Sequence, residues 1–255
     1  MKALFNKNVR ILKEDSVTGL IALYKPAGLK SHPNSSICDK QSLLTSCIYD
    51  HKAECYINNS NRKLFLLNRL DSVTSGIILI TEKEDTALSI KKEFLKRRVT
   101  KQYKALVFGS EKSFTNNKRT KWSDNISIDH SGNKLRALSS TNNDSSHLAI
   151  SFVNLEKKIN DNPSILLINL EPLTGFTHQL RAQCAQHGLP IVGDKVYGNF
   201  SLNKLFNDKN CLNRRIYLHS FSIQVNYELH KQSYQFSCES TLKDEPGFNN
   251  LIYDI

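Results

Sequence analysis

EPLTGFTHQLRAQCAQHGLPIVGDKVYG, from Glu171 to Gly198, carries the sharpest local punctuation in the chain. An apolar run, Ser164 to Leu170, reads as the strand that leads into it. Pro172 and Gly175 turn the backbone, and Thr177 is of a type that caps helix N-termini. The spacing predicts a helix through His187 that Gly188 ends and Pro190 keeps from resuming. Leu189 to Val192 re-enters a strand, and Gly193 to Gly198 turns again. With Thr177 as the cap, His178 and Arg181 fall three apart on one face of the first turn, presenting a ring and a cation to the adjoining loop. Taken alone, each has an ordinary alternative: a surface or satisfied core histidine, and a helix-surface ion pair.

Working outward, the next informative stretch is NRLDSVTSG, Asn68 to Gly76, a polar turn between the apolar strands Leu64 to Leu67 and Gly76 to Thr81. Asp71 there is either a turn-former bonded to backbone amides or a catalytic carboxylate, and the local sequence leaves both open. A buried strand from Leu20 to Tyr24 ends at a turn set by Pro26 and Gly28, while Ser36 to Tyr56 reads as helical or irregular, with Leu43, Leu44, Cys47 and Ile48 at helical spacing. A helix covers Glu84 to Arg97, and Lys101 to Phe108 is a strand. Ser110 to Ser146 is polar, with strand pieces at Ile126 to Ile128 and Leu135 to Leu138 joined by loops. His147 to Leu155 pairs with Ser164 to Leu170 across a turn at Asn160 to Pro163, and further strands lie near Arg215 to Val225 and Ser233 to Cys238. Strands outnumber helices and no composition change marks a boundary, so the expectation is one α+β domain.

The 255 residues are 39% hydrophobic and 23% charged, a folded protein's profile rather than a disordered tail's. No apolar run approaches the roughly 18 residues of a membrane-spanning helix. Asn6, Lys7, Asn8 and Arg10 interrupt any signal-peptide core, so the expected setting is the cytoplasm, with no membrane contact. Six cysteines show no C-x-x-C pair, which argues for reduced packing residues and no metal site. A formal charge of +11 favours a polyanionic partner, and Lys91 to Lys104 (KKEFLKRRVTKQYK) holds seven basic residues against Glu93 alone. A second group, Lys118, Arg119 and Lys121, follows. Such a run is either a solvated helix face or a nucleic-acid footprint.

The joint order of KPAGLKSHP, NRLDSVTSGIILIT, KQYKALVFG, the stretch from Glu171 to Gly198, and LHS resembles the RluA-type family of RNA pseudouridine synthases from about Leu20 to Val225. Most of the weight lies on R-L-D-x-x-T-S-G and on T-G-x-T-H-Q-x-R followed by G-x-P-I-V-G-D-x-x-Y-G. The resemblance implies a mixed, mostly antiparallel central sheet flanked by helices with a central active-site cleft. It also implies a single catalytic domain over residues 1–255 without the S4 module of many relatives. The implied activity is isomerisation of specific uridines in ribosomal or transfer RNA, by a monomer and with no cofactor. The family's catalytic aspartate falls on Asp71, and the arginine that helps replace the extruded nucleotide falls on Arg69. Tyr103 is expected to stack on the target base, Arg181 to pair with the aspartate, and Leu180 to line the pocket.

These residue types suit that chemistry. A stacked uridine hides C1′ and C5, so it must be extruded, at a cost of a few kcal/mol. A planar guanidinium at Arg69 can fill the gap, and an aromatic face at Tyr103 is worth about 1–3 kcal/mol per stacked base. Breaking the glycosidic bond develops positive charge at C1′, which a carboxylate stabilises or attacks, and a nearby guanidinium keeps such a carboxylate charged and oriented. The sequence leaves open whether Asp71 attacks C1′, adds to the base, or removes a proton. Three positions depart from the family pattern: Asn68 for a histidine, and Phe176 and Ser72 for basic residues. RNA docking then falls to Lys96, Arg97, Arg98 and Lys101 and to the Ser110 to Lys121 loop. The alternatives are an RNA-binding or folding factor that uses the same cleft without chemistry, and a nucleoside hydrolase, against which the basic surface argues.

Overall fold

The computed structural model describes residues 5–114, 118–129, 136–139, 147–210, 215–243, 245 and 248–252. Parts of the segment expected to hold strand pairs, residues 115–117, 130–135 and 140–146, lie outside them. The chain separates into two compact units, residues 1–100 with 220–240, and residues 101–219 with 241–255.

The first unit is built on β2 (Leu20–Lys25) and β6 (Ser75–Thr81), which pair antiparallel with Leu20 opposite Thr81 and Lys25 opposite Gly76. Every residue of both strands is buried, as expected where a strand has neighbours on both edges and both faces covered. β1 (Arg10–Glu14) pairs antiparallel with β2, and β5 (Lys63–Leu66) with β6. β4 (Cys55–Asn58) joins β5 to β3 (Cys47–Asp50) in an antiparallel meander. α1 (Glu84–Leu95) lays Thr86, Ala87 and Ile90 on a core of Leu20, Ala22, Phe65, Ile77 and Leu79. Glu84 and Asp85 in its first turn and Lys92 in its last oppose the helix dipole. Arg97, at φ 57°, ends it in the left-handed conformation.

The second unit holds β7 (Thr100–Phe108), β8 (Thr120–Asp129), β9 (Arg136–Ser139), β10 (His147–Asp161) and β11 (Ser164–Pro172) in the order β7-β11-β10-β8-β9, all antiparallel. Ala149, Ser151, Val153 and Leu155 alternate inward on β10, the period-2 pattern of a strand with one face on a core. That core joins Val107, Trp122, Ile168 and Leu170 to Leu180 and Cys184 of α2 (Gln179–Gln186). α3 (Phe200–Asn210) follows, and α4 (Phe248–Ile252) closes the described chain. β12 (Leu218–Leu229) passes from the second unit into the first, where it pairs antiparallel with β13 (Gln232–Glu239).

The mostly antiparallel, strand-rich expectation is met, with local corrections. Ser36 to Tyr56 contains no helix: Cys47 and Tyr49 are buried while Ile48 is exposed, so the apolar residues alternate along β3 instead of following a helical stripe. Helix α2 starts two residues after Thr177, and His178, at φ 58°, is its left-handed cap residue. Leu189 to Val192 forms an isolated bridge, Val107 to Ile191, not a strand. β1, α3 and α4 were not expected, because their stretches mix polar and apolar residues without a clean period.

Candidate active site

In the first unit, the Asp71 loop leaves β5 and enters β6 through side chains that tie its ends. Asn68 accepts from the Leu79 amide at 2.7 Å and donates to the Ile77 carbonyl at 3.4 Å, so the residue that departs from the family pattern serves as a bracket on β6. The Thr74 amide closes the turn on the Asp71 carbonyl at 3.0 Å. Asp71 is half-buried, Leu70 is buried and Arg69 is exposed. Gly76 ends the motif at φ 118°, and a Cβ there would lie 2.2 Å from the Ser220 carbonyl oxygen, so the close approach of the two backbones requires glycine.

Beside Arg69 stands a ring cluster that the sequence reading missed. The His32 Nε2 lies 3.4 Å from Arg69 Nη1, and its Nδ1 lies 2.9 Å from the Pro33 carbonyl. His32 stacks on Tyr49 with centroids 5.1 Å apart, and His51 meets both edge-on. Burial lowers the His32 pKa, the Pro33 carbonyl opposes this, and the Arg69 charge adds to the lowering. A neutral ring with its proton on Nδ1 satisfies both neighbours, donating to Pro33 and accepting from the guanidinium.

In the second unit, Gln179 organises the turn that Thr177 was expected to cap. Its amide oxygen accepts from the Phe176 amide at 3.1 Å and from the Thr174 hydroxyl at 2.8 Å, and its amide nitrogen donates to Ser151 Oγ at 3.0 Å. Thr174 Oγ1 also accepts from the Ile150 amide at 2.9 Å. The left-handed His178 places its Nδ1 3.1 Å from the Tyr197 hydroxyl. Arg181, 5% exposed, meets Asp194, 1% exposed, through Nε to Oδ2 at 2.8 Å and Nη2 to Oδ1 at 2.9 Å. The Val196 and Tyr197 amides also donate to Asp194 Oδ1. Burial pushes the Asp194 carboxyl up, but the Arg181 bonds and charge and the two amides outweigh it, leaving its pKa below the usual value.

Of the residues expected at the site, Arg69 and Asp71 belong to the first unit, as do Lys96, Arg97 and Arg98; Lys101, Tyr103, Leu180 and Arg181 belong to the second. Lys96, Arg97 and Arg98 are exposed where α1 ends. Lys96 and Arg98 approach Glu93 at 3.7 and 4.0 Å, distances at which an exposed pair contributes little. Lys101 differs from them: its Nζ donates to the Thr174 carbonyl at 3.3 Å, and burial pushes its pKa down to about 8. Tyr103 is half-buried on β7 and packs against the cluster that contains Leu180, itself a core residue. Among the described residues no group of His, Cys, Asp and Glu stands together as metal ligands, and no helix is long and apolar enough to cross a membrane.

A strand-rich antiparallel fold carrying R-L-D-x-x-T-S-G between two buried strands and T-H-Q-x-R at a helix start is the pattern of one family. The model of that family, RNA pseudouridylate synthase, matches residues 19–186, and the chain belongs to it. Among curated relatives, ribosomal large subunit pseudouridine synthase C of Rickettsia prowazekii is 31% identical over 180 residues, 71% of this chain and 54% of the relative. Ribosomal large subunit pseudouridine synthase D of Borreliella burgdorferi is 29% identical over 225 residues, 87% of this chain and 62% of the relative. The chain thus spans little more than half the length of these relatives. Human RNA pseudouridylate synthase domain containing 1 shares the fold, with a TM-score of 0.66 at 22% identity over 92% of this chain and 84% of that one.

Proposed function

We propose that the protein converts specific uridines in ribosomal or transfer RNA to pseudouridine, with Asp71 as the catalytic carboxylate. The observation that carries this reading is the placement of Asp71: half-buried, in a loop whose two ends continue into buried strands, with an exposed arginine two residues before it. The N1–C1′ bond breaks, the base turns, and a C5–C1′ bond forms; the C5 proton leaves and N1 takes one up, so the change is an isomerisation and consumes no co-reactant. Family membership supports the rest of the assignment. Arg69 fills the place of the extruded nucleotide, Tyr103 stacks on the base, Leu180 lines the pocket and Arg181 pairs with Asp71. Lys96, Arg97, Arg98 and Lys101 contact the RNA. The protein acts in this reading as a cytoplasmic monomer.

Purified protein incubated with cellular RNA lacking the modification should form pseudouridine, and Asp71→Asn should form none. Robust turnover by Asp71→Asn would sink the assignment. RNA binding by a wild-type protein that never forms pseudouridine would leave a non-catalytic RNA-binding factor in its place.

A further inference from the structure

Between α1 and the β12–β13 hairpin, wholly within the first unit, lies a groove of about 400 Å³. Ser89 Oγ on α1 donates to the Glu228 carbonyl at 2.6 Å and fixes the helix against the strand where both line it. Tyr227 and Tyr234 stand directly opposite on β12 and β13, with ring centroids 5.8 Å apart and planes 26° from parallel. Tyr227 is buried and its hydroxyl donates to Thr18 Oγ1 at 2.8 Å, so the half-buried Tyr234 ring rests on a fixed partner. Lys92, Lys96 and Arg98 also line the groove, and all three are exposed. Two carboxylates, Glu93 and Glu228, lie among them. Asn226 to Glu228 follow Ser220, which Gly76 crosses at the end of the Asp71 motif, by six to eight residues on β12. At about 3.3 Å per residue, the groove is roughly 20–26 Å along the strand from that crossing. Its occupant is therefore not the uridine at Asp71.

The chemistry of the lining narrows the occupant. Three cations attract an anion, but two carboxylates beside them repel a bare one, so the fitting ligand carries phosphates and hydrogen-bond donors together. RNA does so: its phosphates suit lysine and arginine, and each ribose 2′-hydroxyl can donate to a carboxylate. An aromatic face takes an unstacked base, which a duplex does not offer. We propose that this groove holds a single-stranded RNA segment flanking the target uridine, with one base on Tyr234, phosphates on Lys92, Lys96 and Arg98, and ribose hydroxyls on Glu93 and Glu228. It deepens the function proposed above and rests on RNA being the molecule acted on. The groove contributes affinity and leaves the chemical step to the Asp71 site.

The test measures binding of an oligouridylate of about twelve nucleotides, of its deoxy counterpart and of an oligoglutamate of equal charge, with thermal melting to establish folding. The RNA should bind about tenfold more tightly than the DNA. Tyr234→Ala should weaken RNA binding about tenfold, while Tyr234→Phe, which keeps the ring, should stay within about twofold of the wild type. Lys92→Ala should lower the slope of log affinity against log salt by about 0.7. Oligouridylate carrying 5-iodouridine should cross-link to Tyr234 on irradiation, as mass spectrometry of the peptides would show. Equal affinity for RNA and DNA, cross-links only outside the groove, unchanged binding by folded Tyr234→Ala and Lys92→Ala, or displacement of the RNA by equimolar oligoglutamate would each overturn the proposal. Should Tyr234→Ala fail to fold, Lys92→Ala and the cross-link on the wild type decide. A wild type that forms pseudouridine yet gives one of these contrary results overturns this inference alone. Cross-linking at Tyr234 of a protein that forms no pseudouridine instead overturns the reading of the function and leaves the groove as the site of an RNA-binding factor.

Discussion

Arg181 and Asp194 form a two-point ion pair inside the second unit, with Nε and Nη2 each on one carboxylate oxygen at 2.8 and 2.9 Å. The aspartate also takes two backbone amides, and its turn begins at Gly193, where a Cβ would lie 1.8 Å from the Arg215 carbonyl oxygen. The G-D-x-x-Y-G motif thus serves to hold the arginine of T-H-Q-x-R. Asp194→Ala leaves a buried guanidinium without its carboxylate and should cost about 3–5 kcal/mol, read from urea unfolding. The double replacement Arg181→Met with Asp194→Leu should recover most of that stability and yet form no pseudouridine. An active double variant would remove Arg181 from the reaction.

Gly76 marks where β6 passes the backbone of Ser220. Gly76→Ala brings a Cβ against two backbone atoms in a φ region that L residues avoid, so it should lose well over the about 1 kcal/mol of a compatible Gly→Ala change, seen as a lowered melting temperature. An unchanged melting temperature would contradict the close approach.

His219, 0% exposed on β12, should make the protein acid-labile. Burial pushes its pKa down to about 4, Glu245 opposes this and Arg215 reinforces it. Unfolded, the ring titrates near its ordinary value of 6.5. Between those values the unfolded chain binds a proton that the folded chain refuses, so stability is lost as pH falls from 6.5 towards 4. The loss should be of order 2–3 kcal/mol. His219→Gln should lower stability at pH 7 but flatten this acid limb, as urea unfolding at a series of pH values would show. An unchanged limb would mean that other groups produce it.

RNA affinity should fall steeply with salt. Replacing Lys96, Arg97 and Arg98 together with Ala should reduce the slope of log affinity against log salt by about 0.7–0.9 for each phosphate that these side chains neutralise in the wild type. Phe176→Arg returns a cation to a half-buried position, now stacked on His147 with centroids 5.2 Å apart, and should steepen the slope by the equivalent of about one phosphate. Filter binding from about 50 to 300 mM salt would read both changes, and an identical slope in the triple variant would reduce the end of α1 to a solvated surface.

Much of this molecule is legible from local sequence. The apolar runs of β2 and β6, the amphipathic spacing of α1, the turn at Pro163 and the stop of α2 at Gly188 are each written in a few adjacent residues, because steric preference and burial period act over one or two turns of chain. The R-L-D and T-H-Q-x-R motifs likewise identify the family before any coordinate is known. What only the tertiary structure decided concerns groups whose partners no local pattern of residue types names. That β3 and β4 make a strand pair where a helical stripe was one expectation was settled by which side of β3 the core covers. That Gln179 and not Thr177 anchors its turn and that Arg181 meets Asp194 were settled by hydrogen-bond demand. A buried donor or acceptor must find its complement in whatever folds against it, and no spacing along the chain announces which residue that will be.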